Sequence, residues 1–518
     1  MGARKLAGSC EATTYELELR GEIPKALRGS LIVAASRRNK SRDVFSRWHD
    51  SQADIIRLDL ETGSPGRVLA HVLPIDSTGR DLGTRFRRGA VEDPTWPAYG
   101  YATQPNHGLN VSGTKLWATN LLYGAPLQID LEHLRAERIL RYVNLRDDAP
   151  RVTTTSHFAW SLDRRYAYFH QSLLRMETSE KPVTADDLRL VRLDVRTGQE
   201  KVWRVIPPPG DARLDAANFH SAFYWEEKGK KYVGLLRTGA VVEQLEPHSR
   251  PEDHVVHRMP PSSIWVIEID PAKDILAAGL LPGIVELNGL ALSHLDVDVS
   301  TGDGFILYAN YKQADVAEET HGVNAYGQPA ETIAEHYSGM VIEAMNVGKV
   351  IRYERRNGRT NIKCFERAYD DGRASLGHTW LPINIQLDAS GEHLFCTFSG
   401  LRPRLLSKHV VDAYPDLAVD PQSIRFVPPL LMRLDAKTLQ PPRDKRRNYL
   451  SYWEPIAMTV VGDFETGYVC TFSPDEGLHI YRANDLTMAV CTVMAHDILH
   501  YKETHFRPEP AHMVFIPQ

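Results

Sequence analysis

Of the 21 histidines in the chain, four share a setting that suits ligation, because each lies in or beside a short apolar, strand-like stretch with few charges nearby. They are His157 in Thr153-Thr154-Thr155-Ser156-His157-Phe158-Ala159-Trp160, His220 in Asn218-Phe219-His220-Ser221-Ala222-Phe223-Tyr224, His294 in Leu290-Ala291-Leu292-Ser293-His294-Leu295-Asp296, and His512 in Pro510-Ala511-His512-Met513-Val514-Phe515. Four neutral imidazoles would bind a first-row divalent metal without cancelling its charge, leaving positions where small molecules can approach. Their separations of 63, 74 and 218 residues fit no local metal motif such as HExxH. On spacing alone they read first as hydrogen-bonded structural or surface histidines. Other chemistries have less footing, since neither GxxxxGK[ST], a GxGxxG after a strand, nor Gly-x-Ser-x-Gly is present.

The elements that must position these residues are strands. Short runs of Val, Ile, Leu, Tyr and Phe recur between polar turns, and few segments show helical periodicity. One recurrent unit is a strand closed by an acidic turn, as in Ile56-Arg57-Leu58-Asp59 before Glu61-Thr62-Gly63 and Val191-Arg192-Leu193-Asp194 before Arg196-Thr197-Gly198. Asp130, Asp270, Asp435 and Asp485 close similar segments. A second unit is a polar turn leading into a strand: Ser112-Gly113-Thr114, Asp163-Arg164-Arg165 and Ser390-Gly391-Glu392 each precede one. Antiparallel units of this kind, joined without helical crossovers, predict an all-β protein, and closing them in a ring limits exposed edges. A β-propeller is the expected architecture. The alternative is a set of unrelated β-sandwich domains, but no Pro/Gly/Ser-rich linker separates such domains.

A net charge of −5 over 518 residues provides no basic field, so no nucleic-acid partner is expected. The charged fraction of 25% and hydrophobic fraction of 42% exclude disorder as the main state. Five cysteines without CxxC spacing argue against a disulfide framework and against a thiolate zinc site. A cytoplasmic location is expected on that basis, since Met1 to Glu16 lack an apolar secretory core. The longest nearly uncharged apolar run, Ile275 to Val285, is too short to span a bilayer and is broken by Gly279, Pro282 and Gly283. It is expected to form a tunnel mouth or a peripheral membrane contact, with a buried connection between strands as the alternative.

The chain also resembles the carotenoid cleavage oxygenases, a family that includes apocarotenoid oxygenases, stilbene-cleaving dioxygenases and the retinoid isomerohydrolase. Gly21-Glu22-Ile23-Pro24-Lys25-Ala26-Leu27-Arg28-Gly29 is similar to the family's opening G-x-I-P-x-x-L-x-G, and Trp48-His49-Asp50 to its H-x-F-D-G region. Thr155-Ser156-His157 resembles the T-A-H that supplies a first iron ligand, and Phe219-His220-Ser221 the second. Ser293-His294-Leu295-Asp296, followed by Asp303-Gly304-Phe305-Ile306-Leu307, resembles the third ligand region and the strand after it. Phe426 to Asp435 and Trp453-Glu454-Pro455-Ile456 resemble two later segments, and His512 matches the terminal ligand better than His505 does.

The resemblance covers nearly the whole chain. It implies one domain over residues 1–518, a seven-bladed propeller with loop insertions over the active-site face, and Fe(II) held on the axis by His157, His220, His294 and His512. It further implies dioxygen as co-substrate and oxidative cleavage of a carbon–carbon double bond in an apolar unsaturated small molecule, giving carbonyl products. Cleavage of a stilbene-type or unusual alkene, non-oxidative isomerisation or hydrolysis, and a catalytically silent binding propeller are the alternatives. Of the three glutamates by which family members orient their imidazoles, only Glu454 is matched, while Leu122 and Leu401 stand where the others would fall. Phe86 replaces the Tyr with which stilbene-cleaving relatives engage a phenol, and Leu121 falls near their Lys. Both changes favour a carotenoid- or apocarotenoid-like alkene, with Phe86 expected to line the substrate tunnel and core packing as its alternative. The oligomeric state is not specified by these motifs.

Overall fold

The run Leu31-Ile32-Val33-Ala34-Ala35 is apolar without alternation, a pattern that requires a strand covered on both faces. In a computed structural model of the chain all five residues are fully buried in the strand Gly29–Asn39. The structure describes residues 4–6, 12–39, 52–61, 66–75, 108–119, 125–143, 151–174, 188–209, 219–237, 263–280, 291–298, 303–309, 348–356, 359–366, 380–400, 430–438, 449–451, 457–473, 477–494 and 506–518. Among the described residues the chain is all β, with a single 3-10 turn at Lys25–Leu27 and no α-helix. No helix there is long and apolar enough to cross a membrane.

The strands fall into five sheets built from one repeated unit, a four-stranded antiparallel meander. Three sheets are single units: Gly108–Ser112 to Arg135–Ile139, Ala291–Asp298 to Arg359–Glu366, and Trp380–Leu387 to Tyr449–Ser451. A nine-stranded sheet joins two units, one from Arg151–Thr154 to Glu200–Ile206 and one from Phe219–Glu227 to Ile275–Leu280, through parallel pairing of their last strands. A ten-stranded sheet ties the chain ends together. Phe506–Pro517 pairs along Gly29–Asn39, and Thr13–Gly21 spans two units, pairing with Arg67–Ile75 through Thr13 to Glu18 and with Cys491–Val493 through Leu19 to Gly21.

The core lies between the faces of neighbouring units. Leu31, Val33 and Ala35 pack with Phe472, Leu478 and Ile480 on one side, whereas Ile32 and Ala34 pack with Leu116, Ala118 and Ile129 on the other. Phe158, Phe169 and Val191 join Trp117 and Leu140, while Tyr168, Leu190 and Trp203 join Phe219, Val233 and Trp265. The units containing Leu31, Leu116 and Tyr168 thus bury both faces, which explains strands without polar alternation.

The acidic turns seen in the sequence close the third strand of a unit. Asp194 Oδ1 accepts the backbone N–H groups of Arg196 and Thr197, Asp270 that of Ala272, and Asp435 that of Thr438. These Asx turns satisfy backbone donors where the ladder ends. Cys396, Cys470 and Cys491 are buried, unbridged thiols, as the expectation of no disulfide framework requires for those three.

Within the apolar run, Ile275–Leu280 is an outer strand paired on both sides that alternates between core and surface, with Leu276 and Ala278 buried and Ile275 and Leu280 exposed. Residues 281–285 lie outside the described residues.

Candidate metal centre

His157 sits between the short strands Arg151–Thr154 and Ala159–Trp160, in a segment held from both sides. On one side, Ser156 and His157 both donate backbone N–H groups to the carbonyl of His220, at 2.9 and 3.2 Å, and Ala222 donates to the carbonyl of His157 at 2.8 Å. On the other side, Asn110 of the preceding unit donates Nδ2 to the Ser156 carbonyl at 2.9 Å and accepts the Phe158 N–H on Oδ1 at 2.6 Å. Thr119 donates its hydroxyl to the same Ser156 carbonyl at 2.7 Å. The approach is so close that a Cβ on Gly108 would stand 2.0 Å from the Ser156 oxygen, which explains a glycine there.

His220 lies near the start of Phe219–Glu227, where the register skips between Phe219 and Ser221. It is therefore the extra residue of a β-bulge, a device that re-aims a side chain. His512 lies beside a similar skip in Phe506–Pro517: Ala34 pairs with His512 and Ala35 with Pro510. His294 occupies the skipped position in Ala291–Asp298, between Ser293 paired with Leu307 and Leu295 paired with Ile306. That strand contacts the strand of His220. In Trp380–Leu387 the skipped position holds Ile383, which cannot ligate.

Three of the four sequence-predicted imidazoles meet. The ring centroid of His157 is 5.2 Å from that of His220 and 4.8 Å from that of His512. His220 and His512 are buried, and His157 is half-buried. Burial pulls His157 down to about 4, and it depresses His512 well below the usual histidine range, helped by positive charge on His157 and His220. Both rings are therefore neutral near pH 7, the protonation state a metal requires. The Nδ1 atom of His220 lies 3.0 Å from the Ser221 hydroxyl. The side chain of His294, together with Glu454, Phe86, Leu121, Leu122, Leu401 and His505, lies outside the described residues.

A second donor group stands elsewhere. The ligand atoms of Asp130, Glu132 and His133 lie within 4.8 Å of one another at the turn after Leu127–Asp130. There His133 Nδ1 is 2.9 Å from Asp130, and Glu132 and His133 are exposed. Ser221, Asn110, Thr119 and Gly108 escaped the sequence reading. Ser221 adjoins a chosen histidine, but regular alternation would place neighbours on opposite faces.

Asn110 should prove essential to this framework. Its amide makes three buried hydrogen bonds, to Ser156, Phe158 and the Trp117 carbonyl. Alanine there leaves at least one buried donor and one acceptor unmatched, an expected loss of about 2–4 kcal/mol. Urea unfolding of the metal-free protein checks this, and a change below about 0.5 kcal/mol would contradict the clamp.

The chain matches no protein-family model and no curated protein. Its fold, however, is that of a known class of all-β enzymes. A Synechocystis apocarotenoid oxygenase variant superposes with a TM-score of 0.53 at 12% identity, covering 99% of this chain and 97% of that one. The cobalt-substituted form of the same enzyme gives 0.52 at 12% identity, and an apocarotenoid oxygenase/RPE65 chimera gives 0.53 at 11%, with the same coverage. The resemblance read in the sequence thus extends to the fold: this is a divergent chain with a carotenoid-oxygenase-like architecture.

Proposed function

We propose that the chain is an Fe(II)-dependent dioxygenase that cleaves a carbon–carbon double bond of a carotenoid- or apocarotenoid-like alkene to two carbonyl products. Residues 1–518 form one seven-bladed propeller in this reading, and His157, His220, His294 and His512 hold the metal on its axis. The observation that carries it is the spacing of the imidazoles. With a metal–nitrogen bond of about 2.1 Å, ring centroids lie roughly 3.2 Å from the ion, so ligands between right-angled and tetrahedral stand roughly 4.5–5.2 Å apart. The observed 4.8 and 5.2 Å fall in that range. An all-imidazole donor set suits iron, and iron when bound supplies the reactivity toward dioxygen and the alkene.

The protein's own part is placement. Burial keeps imidazoles unprotonated, and the backbone pairing of Ser156 and His157 with His220 and Ala222 fixes two of them relative to each other. Rigid strands limit the reorganisation needed when substrate and dioxygen meet. Glu454 is assigned the acceptor role toward a ligand imidazole, and Phe86 the lining of an apolar tunnel. Cytoplasmic location with peripheral membrane contact belongs to the same reading, since an apolar alkene partitions into lipid.

The test is anaerobic reconstitution with Fe(II), followed by a panel of apolar alkenes under isotopically labelled dioxygen. Two carbonyl products, each carrying label, are expected. Isomerised or hydrolysed substrate without uptake of oxygen would replace the dioxygenase reading, and binding without turnover across the panel would mark a silent propeller.

A further inference from the structure

One partner of the His220 ring is a neutral hydroxyl. His220 Nδ1 and Ser221 Oγ are 3.0 Å apart, and both residues are buried. Consecutive residues of a regular strand point to opposite faces and cannot make this contact. The bulge between Phe219 and Ser221 removes that restriction, because the extra residue interrupts the alternation. Nor is the bulge a local accident. The His220 carbonyl accepts two N–H groups from the His157 segment, and the Ala222 N–H returns a bond to His157. The neighbouring strand thus holds open the backbone distortion that brings His220 and Ser221 together.

We infer that Ser221 is a positioning residue for His220 in metal binding, an inference that rests on the metal-site reading above. With Nε2 bound to a divalent cation, Nδ1 carries the ring proton and donates it to Ser221 Oγ. This fixes the tautomer and the rotation of the ring about χ2. Ser221 so takes at this imidazole the task that carboxylates perform at many metal sites. A hydroxyl withdraws less of the Nδ1 proton than a carboxylate, so the ring is a weaker donor and the ion keeps more of its positive charge. The placement of this ring should therefore be sensitive to loss of the Ser221 contact.

Cobalt(II) is the probe, because its visible ligand-field spectrum reports ligand geometry without turnover. Wild type, Ser221→Ala and Ser221→Thr are titrated metal-free and anaerobically with Co(II). The expected result is one Co(II) per wild-type chain, a roughly 10–100-fold loss of affinity with an altered spectrum in Ser221→Ala, and recovery of both in Ser221→Thr. If wild type binds Co(II) and Ser221→Ala binds it equally with the same spectrum, the Ser221 role is overturned while the metal site stands. Equal loss in both variants assigns the effect to packing and also overturns the role. If wild type binds no Co(II), the metal-site reading falls, and this inference with it. Should the alanine variant fail to fold, wild-type protein with nitrogen-15-labelled histidine and Zn(II) decides the question. A slowly exchanging His220 Nδ1–H is expected, and a ring protonated at Nε2 overturns the proposal.

Discussion

Single replacement of His157, His220, His294 or His512 by alanine is expected to eliminate tight metal binding. The loss should exceed the roughly 10–100-fold that removal of an outer partner costs, since a bond to the ion itself disappears. Two independent readouts check this. Bound metal after gel filtration should fall from one per chain to trace levels, and the stabilisation conferred by metal should vanish. For wild type at a metal concentration about 100 times Kd, that stabilisation is about 2.7 kcal/mol, because the ion binds only the folded chain. The competing donor group supplies an internal control: His133→Ala removes one member of the cluster with Asp130 and Glu132, yet should leave affinity unchanged. If His133→Ala abolishes binding while the other four variants retain it, the site belongs to that exposed turn. His294→Ala carries particular weight, since its assignment rests on the family resemblance and the bulge in its strand, not on an observed ring contact.

The repeat was legible because its physics is local. An aspartate that caps the third strand must sit directly before the turn whose N–H groups it accepts, so Asp130, Asp194, Asp270, Asp435 and Asp485 could be picked out without any structure. Sheet-to-sheet order was not legible, because the Leu31 to Ala35 run says only that both faces are covered, not by which neighbours. Three of the four chosen histidines converge, but 63, 74 or 218 residues of separation gave no means of ranking them among 21 without the family resemblance. What supports them was hidden for a different reason. Asn110 acts across a unit boundary, and Ser221 acts through a one-residue register skip that reverses which side chains share a face. A bulge leaves no mark in composition or periodicity, so a strand-based reading assigns Ser221 to the wrong side.

His170 should make the metal-free protein sensitive to acid. It is fully buried on Tyr166–Leu174, its two ring nitrogens have no hydrogen-bond partner among the described residues, and its ring meets Phe219 edge-on at 4.5 Å. Desolvation pulls its pKa down to about 3. In the unfolded chain a histidine titrates near 6.5. Between those values the unfolded state binds the proton and the folded state does not, so stability declines as pH falls from about 6.5 toward about 3. A difference of this size corresponds to several kcal/mol across the window, at about 1.4 kcal/mol per pH unit. His170→Leu keeps the side chain apolar and removes the titration, so its acid limb should be shallower by that amount. At pH 7.5 the variant should also be more stable by about 1–3 kcal/mol, because the buried nitrogens that lack partners are gone and leucine suits the surface of Phe219. Urea unfolding of the metal-free proteins at pH 7.5 and 4.5 tests both parts. The titrations of His157 and His512 are common to the two proteins and cancel in the difference. Parallel stability curves for wild type and variant, or a variant less stable at both pH values, would show that the His170 ring is not the unsolvated base its surroundings make it.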